Sequence, residues 1–515
     1  VPHPDILQAV SIVSVYHTFL DSVQRHAQRP ALHIAGYEYT YADFNARVQR
    51  IRALLRTQNL GEAPLRVGVF TGEHVDVYAA IVAVLGSGAA YVPVNHKFPP
   101  ERNLGIVQDA GLAVLLAAQP SAELGALRSM LPPHVKIHYT QGLKDNPTAP
   151  AATPAPMPEA ADMAYLLFTS GSTGRPKGVP IAHGNLNAFL NAVLSPALYA
   201  LSEQDRFLQM FELTFDLSVY SFLAPLCVGA CCCVVPAEGV SYLNILQTLD
   251  EQRVTVALMV PSALAYLRAY FDEIALPHLR YSLFCGEALP ATLAKAWQAR
   301  VPHARIENVY GPTEATIFCS RYVWQAQSEA ESFYGIVPIG QPLPGVSMVL
   351  LDEHNNPAHE GELCLGGAQI TAGYWHNAER NASAFVAVPA QGRHYRTGDL
   401  CRRNNQGDYL FLGRADQQVK IDGYRVELGE IEHHARRLTQ HTAGQVAVVA
   451  LPNVQGTHTL HLFLERFTGN TDALQEALAT QLPAYMVPHQ VHTLPAFPLN
   501  TNGKIDRKAL AAQIQ

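Results

Sequence analysis

The chain is 515 residues long, with 48% hydrophobic and 15% charged residues, 35 glycines and 35 prolines. That is more than one hydrophobic core holds, so two or more domains are expected, and the composition excludes a disordered or fibrous class. A net charge of -7 argues against nucleic acid and anionic membranes as partners.

The N-terminus VPHPDILQAV has neither the basic start nor the apolar core of a secretory signal, although Val1 suggests that an initiator or tag was removed. VYHTFLDSVQRHA predicts an amphipathic helix, and YEYTYADFNARVQRIRALLRTQ adds a Thr/Asp start with helical periodicity. RVGVFTG then predicts a strand, VDVYAAIVAVLGSG a helix and AYVPV a second strand, the alternation of a mostly parallel sheet with crossover helices. DNPTAPAATPAPMPEAAD lacks periodicity and reads as an exposed connector. A further α/β set runs from Asp205 to Tyr310. Within it the run LCVGACCCVVP reads as a buried strand. The eight cysteines include no CxxC pair, so reduced thiols in a cytoplasmic protein are expected rather than a zinc site or a disulfide scaffold. From Ile336 to Leu412 the pattern turns β-rich (VSMVLLD, GELCLGG, DYLFLG), and from Asp416 a small α+β unit follows. No apolar run reaches the roughly 18 residues that span a bilayer.

The segment YLLFTSGSTGRPKGVPIAHGN carries the chemistry most openly. An apolar run leads into Thr169, Ser170, Gly171, Ser172, Thr173, Gly174 and then Lys177. Glycines let backbone N–H groups curl around an anion, hydroxyls add donors and the lysine adds charge, which is the composition of a phosphate cradle. Lys177 is neither directly preceded by Gly nor followed by Ser or Thr, so this is not a Walker A loop. Five more strings follow in order: NVYGPTEAT, GELCLGGAQITAGYW, YRTGDL, GRADQQVKIDGYRVELGEIE and NTNGKIDRKAL. Together the six resemble the adenylate-forming superfamily of acyl-CoA synthetases, luciferases and adenylation domains of nonribosomal peptide synthetases, over nearly the whole chain.

The resemblance implies a large N-terminal domain, residues 1–415, of parallel-type α/β subdomains plus a β-rich subdomain, and a small mobile α+β C-terminal lid, residues 416–515. It implies ATP and Mg²⁺ as cofactors. Thr169 to Lys177 would hold the β- and γ-phosphates, with Glu314 as the Mg²⁺ ligand. Tyr310 would stack on adenine and Asn308 face its polar edge, with Gly286, Glu287, Gly311 and Thr313 lining the nucleotide site. Asp399 would accept the ribose hydroxyls, assisted by Arg414. Lys504 would be the catalytic lysine of adenylation, acting with Glu314 and Thr169. Asp416 would be the hinge about which the lid turns, one orientation delivering Lys504 and another presenting the strand Lys420 to Gly423 to a pantetheine thiol. His183 reads as a turn-shaping residue, and His433 and His434 as surface or lid-packing ones.

Asp216, in FDLSV, occupies the position that binds the substrate ammonium in amino-acid-activating members; the structural alternative is a helix cap for LSVYSFL. The remaining pocket positions carried across are Leu217, Tyr220, Leu258, Leu283, Cys285, Val309, Ile317 and Phe318, together with Lys504. They are mostly apolar and bulky, which suits a small neutral side chain and rejects charge. FDLSV, LFCGEALP, YGPTEAT and GYRVELGEIEHH resemble especially D-alanine–carrier protein ligases, so D-Ala, L-Ala, Gly, Pro and a small branched amino acid all stay open. The expected partner is a phosphopantetheinylated carrier protein acting in trans on a monomer, unless the chain is excised from a larger synthetase. The alternatives are an acyl-CoA synthetase using free CoA and a nucleotide-binding regulator without turnover.

Overall fold

The computed structural model, which describes residues 12–57, 65–144, 157–171, 176–325, 327–415, 418–439, 442–453, 457–499 and 505–514, contains two mostly parallel sheets. The larger sheet runs Gln341–Pro342, Ser320–Val323, Arg305–Tyr310, Tyr281–Phe284, Val256–Met259, Arg206–Gln209, Cys231–Val234, Pro30–Ile34 and Tyr37–Thr40. From Arg305–Tyr310 to Pro30–Ile34 every neighbouring pair is parallel, and both ends are closed by antiparallel strands. The smaller sheet is ordered Lys136–Tyr139, Val114–Ala117, Arg66–Phe70, Ala90–Val94, Met163–Thr169 and Lys177–Ala182, parallel except for the last pair. The helix Val75–Leu85 is buried along its whole length, which its apolar circumference (VDVYAAIVAVL) requires.

The run LCVGACCCVVP divides between two elements. Leu226 to Val228 end the helix Leu217–Val228, Gly229 caps it in the left-handed region at φ 80, and only Cys231–Val234 form strand. The expectation of one continuous buried strand fails because a single glycine supplies that cap. All eight thiols are free and buried.

A five-stranded antiparallel layer (Val346–Leu351, Glu360–Gly367, Gly392–Arg403, Phe385–Val388 and Tyr409–Arg414) forms the β-rich part. Residues from 418 onward pack mainly on one another. The hairpin Gln418–Ile421/Tyr424–Glu427, the helices Leu428–Thr439 and Thr471–Ala479, and one face of the sheet Val446–Pro452/His458–Glu465/Gln490–Leu494 share an apolar cluster. Alternation sends Ala447, Val449 and Leu451 to the other face, where they meet Phe497, Ile505 and Leu510. The described residues flanking 500–504 therefore lie across this sheet from the helix Leu428–Thr439. Of the expected connector, 145–162, residues 145–156 lie outside the described residues and 157–162 are mostly exposed and form neither helix nor strand; no helix among the described residues is long and apolar enough to cross a membrane.

Candidate active site

A cavity opens where the C-terminal ends of the parallel strands meet the hairpin Gln418–Glu427. Thr169, Ser170, Asp216, Leu217, Cys285, Gly286, Glu287, Asn308, Val309, Tyr310, Gly311, Thr313, Asp399 and Arg414 all line it, and so does Lys420 from the hairpin. These residues, expected from widely separated strings, are thus brought to one place, whereas Glu314 and Lys177 are buried but are not among the lining residues.

The expected phosphate loop lies between the antiparallel strands Met163–Thr169 and Lys177–Ala182, with Thr169 paired to Lys177. Ser172, Thr173 and Gly174 lie outside the described residues, as do Asp416 and Lys504. Lys177 is buried and its Nζ meets Glu427 Oε1 at 2.9 Å. Burial and the nearby Arg425 lower its pKa, against the pull of Glu427.

Glu314 sits in a one-turn 3-10 segment, Thr313–Ala315. Thr316 and Ile317 follow at φ 57 and 77, two successive non-glycine residues in the left-handed region. The chain doubles back so tightly that a Cβ on Gly311 would lie 2.4 Å from Phe318 Cα, which only glycine avoids. The Glu314 carboxylate is fully buried. It accepts a hydrogen bond from Tyr374 Oη at 2.6 Å, and Arg425 Nη1 reaches both its oxygens at 2.9 and 2.8 Å. Burial works against the charged form, but Arg425, the Tyr374 hydroxyl and Lys177 outweigh it and hold the carboxyl down to about 2. One buried carboxylate beside a phosphate loop fits Mg²⁺, which takes one or two carboxylates and otherwise phosphate and water oxygens. No group of three or more metal-binding side chains occurs among the described residues.

Asp399 and Arg414 face each other across the antiparallel pair Gly392–Arg403/Tyr409–Arg414, and this register makes their ion pair. The Tyr310 hydroxyl donates to the other Asp399 oxygen. Asn308 donates from Nδ2 to the carbonyls of Val337 and Pro338 at 3.2 and 2.9 Å, so its amide is oriented within the cavity wall. Glu287 accepts from the backbone N–H groups of Ser262 and Gly423, both at 2.7 Å, and thereby ties the hairpin turn to the core.

Asp216 immediately precedes the helix Leu217–Val228, yet it has helical angles (φ -63, ψ -26) and makes no side-chain cap bond. The capping alternative does not hold. Burial raises its pKa to about 6, against the Thr313 hydroxyl and Lys420. Among the expected pocket residues, Leu217, Cys285 and Val309 line the cavity, whereas Tyr220, Leu258, Leu283, Ile317 and Phe318 are buried but are not among its lining residues. The Tyr220 ring packs edge-on against Phe189, Phe207 and Phe318, and its buried hydroxyl has no hydrogen-bond partner among the described residues. Tyr220→Phe is therefore expected to hold or raise stability, by about 1 kcal/mol, in a denaturant titration; a clear loss would mean that the hydroxyl is bonded.

His183 starts the helix His183–Val193 with both ring nitrogens buried and unpartnered among the described residues, and burial lowers its pKa. His434 meets Gln481 Oε1 at 2.8 Å inside the C-terminal unit. Sequence reasoning missed Arg425, Glu427, Glu430, Arg102 and Tyr374. The signal was present in YRVELGE: alternation puts Arg425 and Glu427 on one face of a strand, and Glu430 follows in the first turn of the next helix.

The family model for AMP-binding enzymes matches residues 19–375. Tyrocidine synthase 3 of Brevibacillus parabrevis is 32% identical over 511 residues, covering 96% of this chain and 8% of that one. The adenylation domain AlmE of Vibrio cholerae, solved with glycyl-adenosine-5'-phosphate, superposes with a TM-score of 0.83 at 28% identity, over 100% of this chain and 99% of that one. Holo-PA1221, an NRPS protein containing adenylation and PCP domains, gives a TM-score of 0.83 at 28% identity, over 97% of this chain and 84% of that one. The chain belongs to the AMP-binding enzymes, the adenylate-forming superfamily. It is an ATP-dependent, AMP-forming ligase with the fold of a nonribosomal-peptide-synthetase adenylation domain. It spans a tenth or less of the length of the first curated relatives it matches.

Proposed function

We propose that the chain activates a small neutral amino acid and passes it to the phosphopantetheine thiol of a carrier protein. The observation that carries this reading is Asp216. It is a buried carboxylate without a capping bond, at a cavity whose neighbouring walls are Leu217, Cys285 and Val309. A buried carboxylate calls for a cation; Lys420 of the hairpin is one in this orientation, and an α-ammonium is the cation such a substrate brings. Apolar walls around it offer nothing to pair a charged side chain. The glycyl adenylate bound to AlmE supports a small side chain, and the PCP domain of PA1221 supports a carrier as acceptor.

In this reading the substrate carboxylate attacks the α-phosphorus of ATP, pyrophosphate leaves, and the carrier thiol then attacks the acyl carbon and releases AMP. Asp399 and Arg414 hold the ribose, Tyr310 and Asn308 the adenine, and Ser170, Gly171 and Lys177 the phosphates. Glu314 would hold Mg²⁺, whose charge offsets that of the triphosphate. Residues 1–415 act as the core and 416–515 as a lid hinged at Asp416, with Lys504 delivered for adenylation in a second orientation. Lys420 lining the cavity supports the present orientation as the one that serves thiol transfer.

Amino-acid-dependent pyrophosphate exchange across the twenty L-amino acids, D-Ala and β-amino acids tests the reading. Exchange is expected with one or more of Gly, L-Ala, D-Ala, Pro or a small branched amino acid. Exchange confined to charged amino acids would contradict the pocket, and no exchange at all would favour a regulator.

A further inference from the structure

Two histidines meet on the C-terminal sheet, and neither lines the cavity. His461 lies on the strand His458–Glu465 and His492 on its parallel neighbour Gln490–Leu494, where Gln490 stands opposite His461 and His492 opposite Phe463. Alternation therefore puts both imidazoles on one face, and His461 Nδ1 stands 3.1 Å from His492 Nε2. The other nitrogen of His461, Nε2, lies 3.1 Å from the Thr459 hydroxyl, which donates its own proton to the Leu451 carbonyl at 3.4 Å. That hydroxyl is left to accept, so His461 carries its proton on Nε2 and turns the Nδ1 lone pair toward His492. The His492 ring stacks on Phe463 with 4.8 Å between centres, which sets its plane. His461 is 9% exposed and His492 partly exposed, so the pair is buried enough to be oriented and open enough to be reached. Burial lowers the pKa of both rings, with His492 and His489 adding to the effect on His461, which favours the neutral form that binds metals. An ion about 2.0–2.1 Å from each nitrogen would bridge the 3.1 Å gap at an angle of about 100°, inside the range of tetrahedral and octahedral shells.

We propose that His461 Nδ1 and His492 Nε2 are the protein ligands of a site for a first-row transition cation of the Zn²⁺ class. Thr459 orients His461 from behind, as the groups that hold a metal-bound imidazole do, and water completes the shell. Two ligands agree with the absence of any three-membered group among the described residues. Imidazole suits Zn²⁺, Cu²⁺ and Ni²⁺ whereas Mg²⁺ takes oxygen ligands, so the site is distinct from the one proposed at Glu314. When it loads, His492 carries its proton on Nδ1 in place of Nε2. Phe463, under His492, shares an apolar cluster with Phe497, Ile505 and Leu510, so the cation braces the face on which those residues pack. The site stands independently of the adenylating reading.

The test uses the full chain without nucleotide. Zn²⁺ is titrated at pH 7 in a calorimeter, and copper(II) is added separately for electron paramagnetic resonance. The wild type is expected to show a saturable Zn²⁺ site, to melt at higher temperature when it is filled, and to give a copper spectrum with two coordinated imidazole nitrogens. His461→Gln and His492→Gln should each abolish that site. Thr459→Val keeps both ligands and should weaken binding about tenfold or more. His354→Gln, which removes an imidazole with a side chain 75% exposed, should change nothing, and excess Mg²⁺ should not displace Zn²⁺. No saturable site, a site that survives either ligand variant, or displacement by Mg²⁺ overturns the proposal. Unchanged affinity in Thr459→Val removes Thr459 from it. The wild-type copper spectrum decides where a variant does not fold, since one imidazole nitrogen or none contradicts a paired site.

Discussion

Glu314→Gln is expected to lower amino-acid-dependent pyrophosphate exchange by about 10²–10³-fold, the range seen when one preorganised charge-stabilising group is lost. Glutamine keeps the shape and can still accept from the Tyr374 hydroxyl, so the change removes charge and little else. In the adenylating state the loss falls on the group that would hold Mg²⁺. In the orientation seen here it strips Arg425 of its countercharge while that side chain is only 9% exposed. Removing one partner of a buried ion pair costs about 3–5 kcal/mol if the other stays buried. On the proposed reading the C-terminal unit can undock instead, so the variant should also show weaker docking by energy transfer between dyes on the two units. Glu314→Asp, which keeps the charge at shorter reach, should recover part of the exchange. Exchange at the wild-type level in Glu314→Gln contradicts the assignment.

Asp216→Ala is expected to weaken amino-acid binding by about 10² to 4 × 10³-fold with little change in the KM for ATP. The range follows from about 3–5 kcal/mol for a buried charge left without its partner, at 1.4 kcal/mol per tenfold. Burial raises the Asp216 carboxyl to about 6, so the empty site carries a proton below that pH. An ammonium needs the carboxylate, so kcat/KM for the amino acid should fall about tenfold per pH unit below pH 6. Bound substrate favours the ionised form, so the kcat profile should bend at lower pH than the kcat/KM profile. Asp216→Ala should lose the bend altogether. Parallel losses in amino-acid and ATP binding would point to a structural role.

The parallel α/β order and the β-rich segment were legible because period and turn chemistry are local properties. RVGVFTG and AYVPV pair as neighbouring parallel strands (Arg66–Phe70 and Ala90–Val94) as their alternation with helices implies. The split of LCVGACCCVVP was not legible, because an apolar run of that length suits helix and strand alike and a single glycine at φ 80 decides between them. In the site, the chemistry-bearing residues Asp216, Tyr310, Asp399 and Arg414 come together at one cavity. The sequence could not show that Tyr220, Ile317 and Phe318 lie off the cavity's lining, because that depends on how the loop from Gly311 folds back through two left-handed residues. Nor could it show that Glu430 reaches Arg102, more than three hundred residues earlier in the chain. Such pairs are made by the docking of one unit on another, for which no local pattern exists.

The central claim is that one chain makes an aminoacyl-adenylate and then a carrier thioester. It is tested most directly in a single-turnover experiment with enzyme in excess over labelled amino acid, in the presence of ATP, Mg²⁺ and holo-carrier. The amino acid is the one named by the exchange panel. The account predicts a transient aminoacyl-adenylate, then label on the carrier through a hydroxylamine-sensitive bond, with AMP released in equal amount. Adenylate that moves efficiently to free CoA and not to the carrier, or ATP consumed to ADP without AMP, would contradict it.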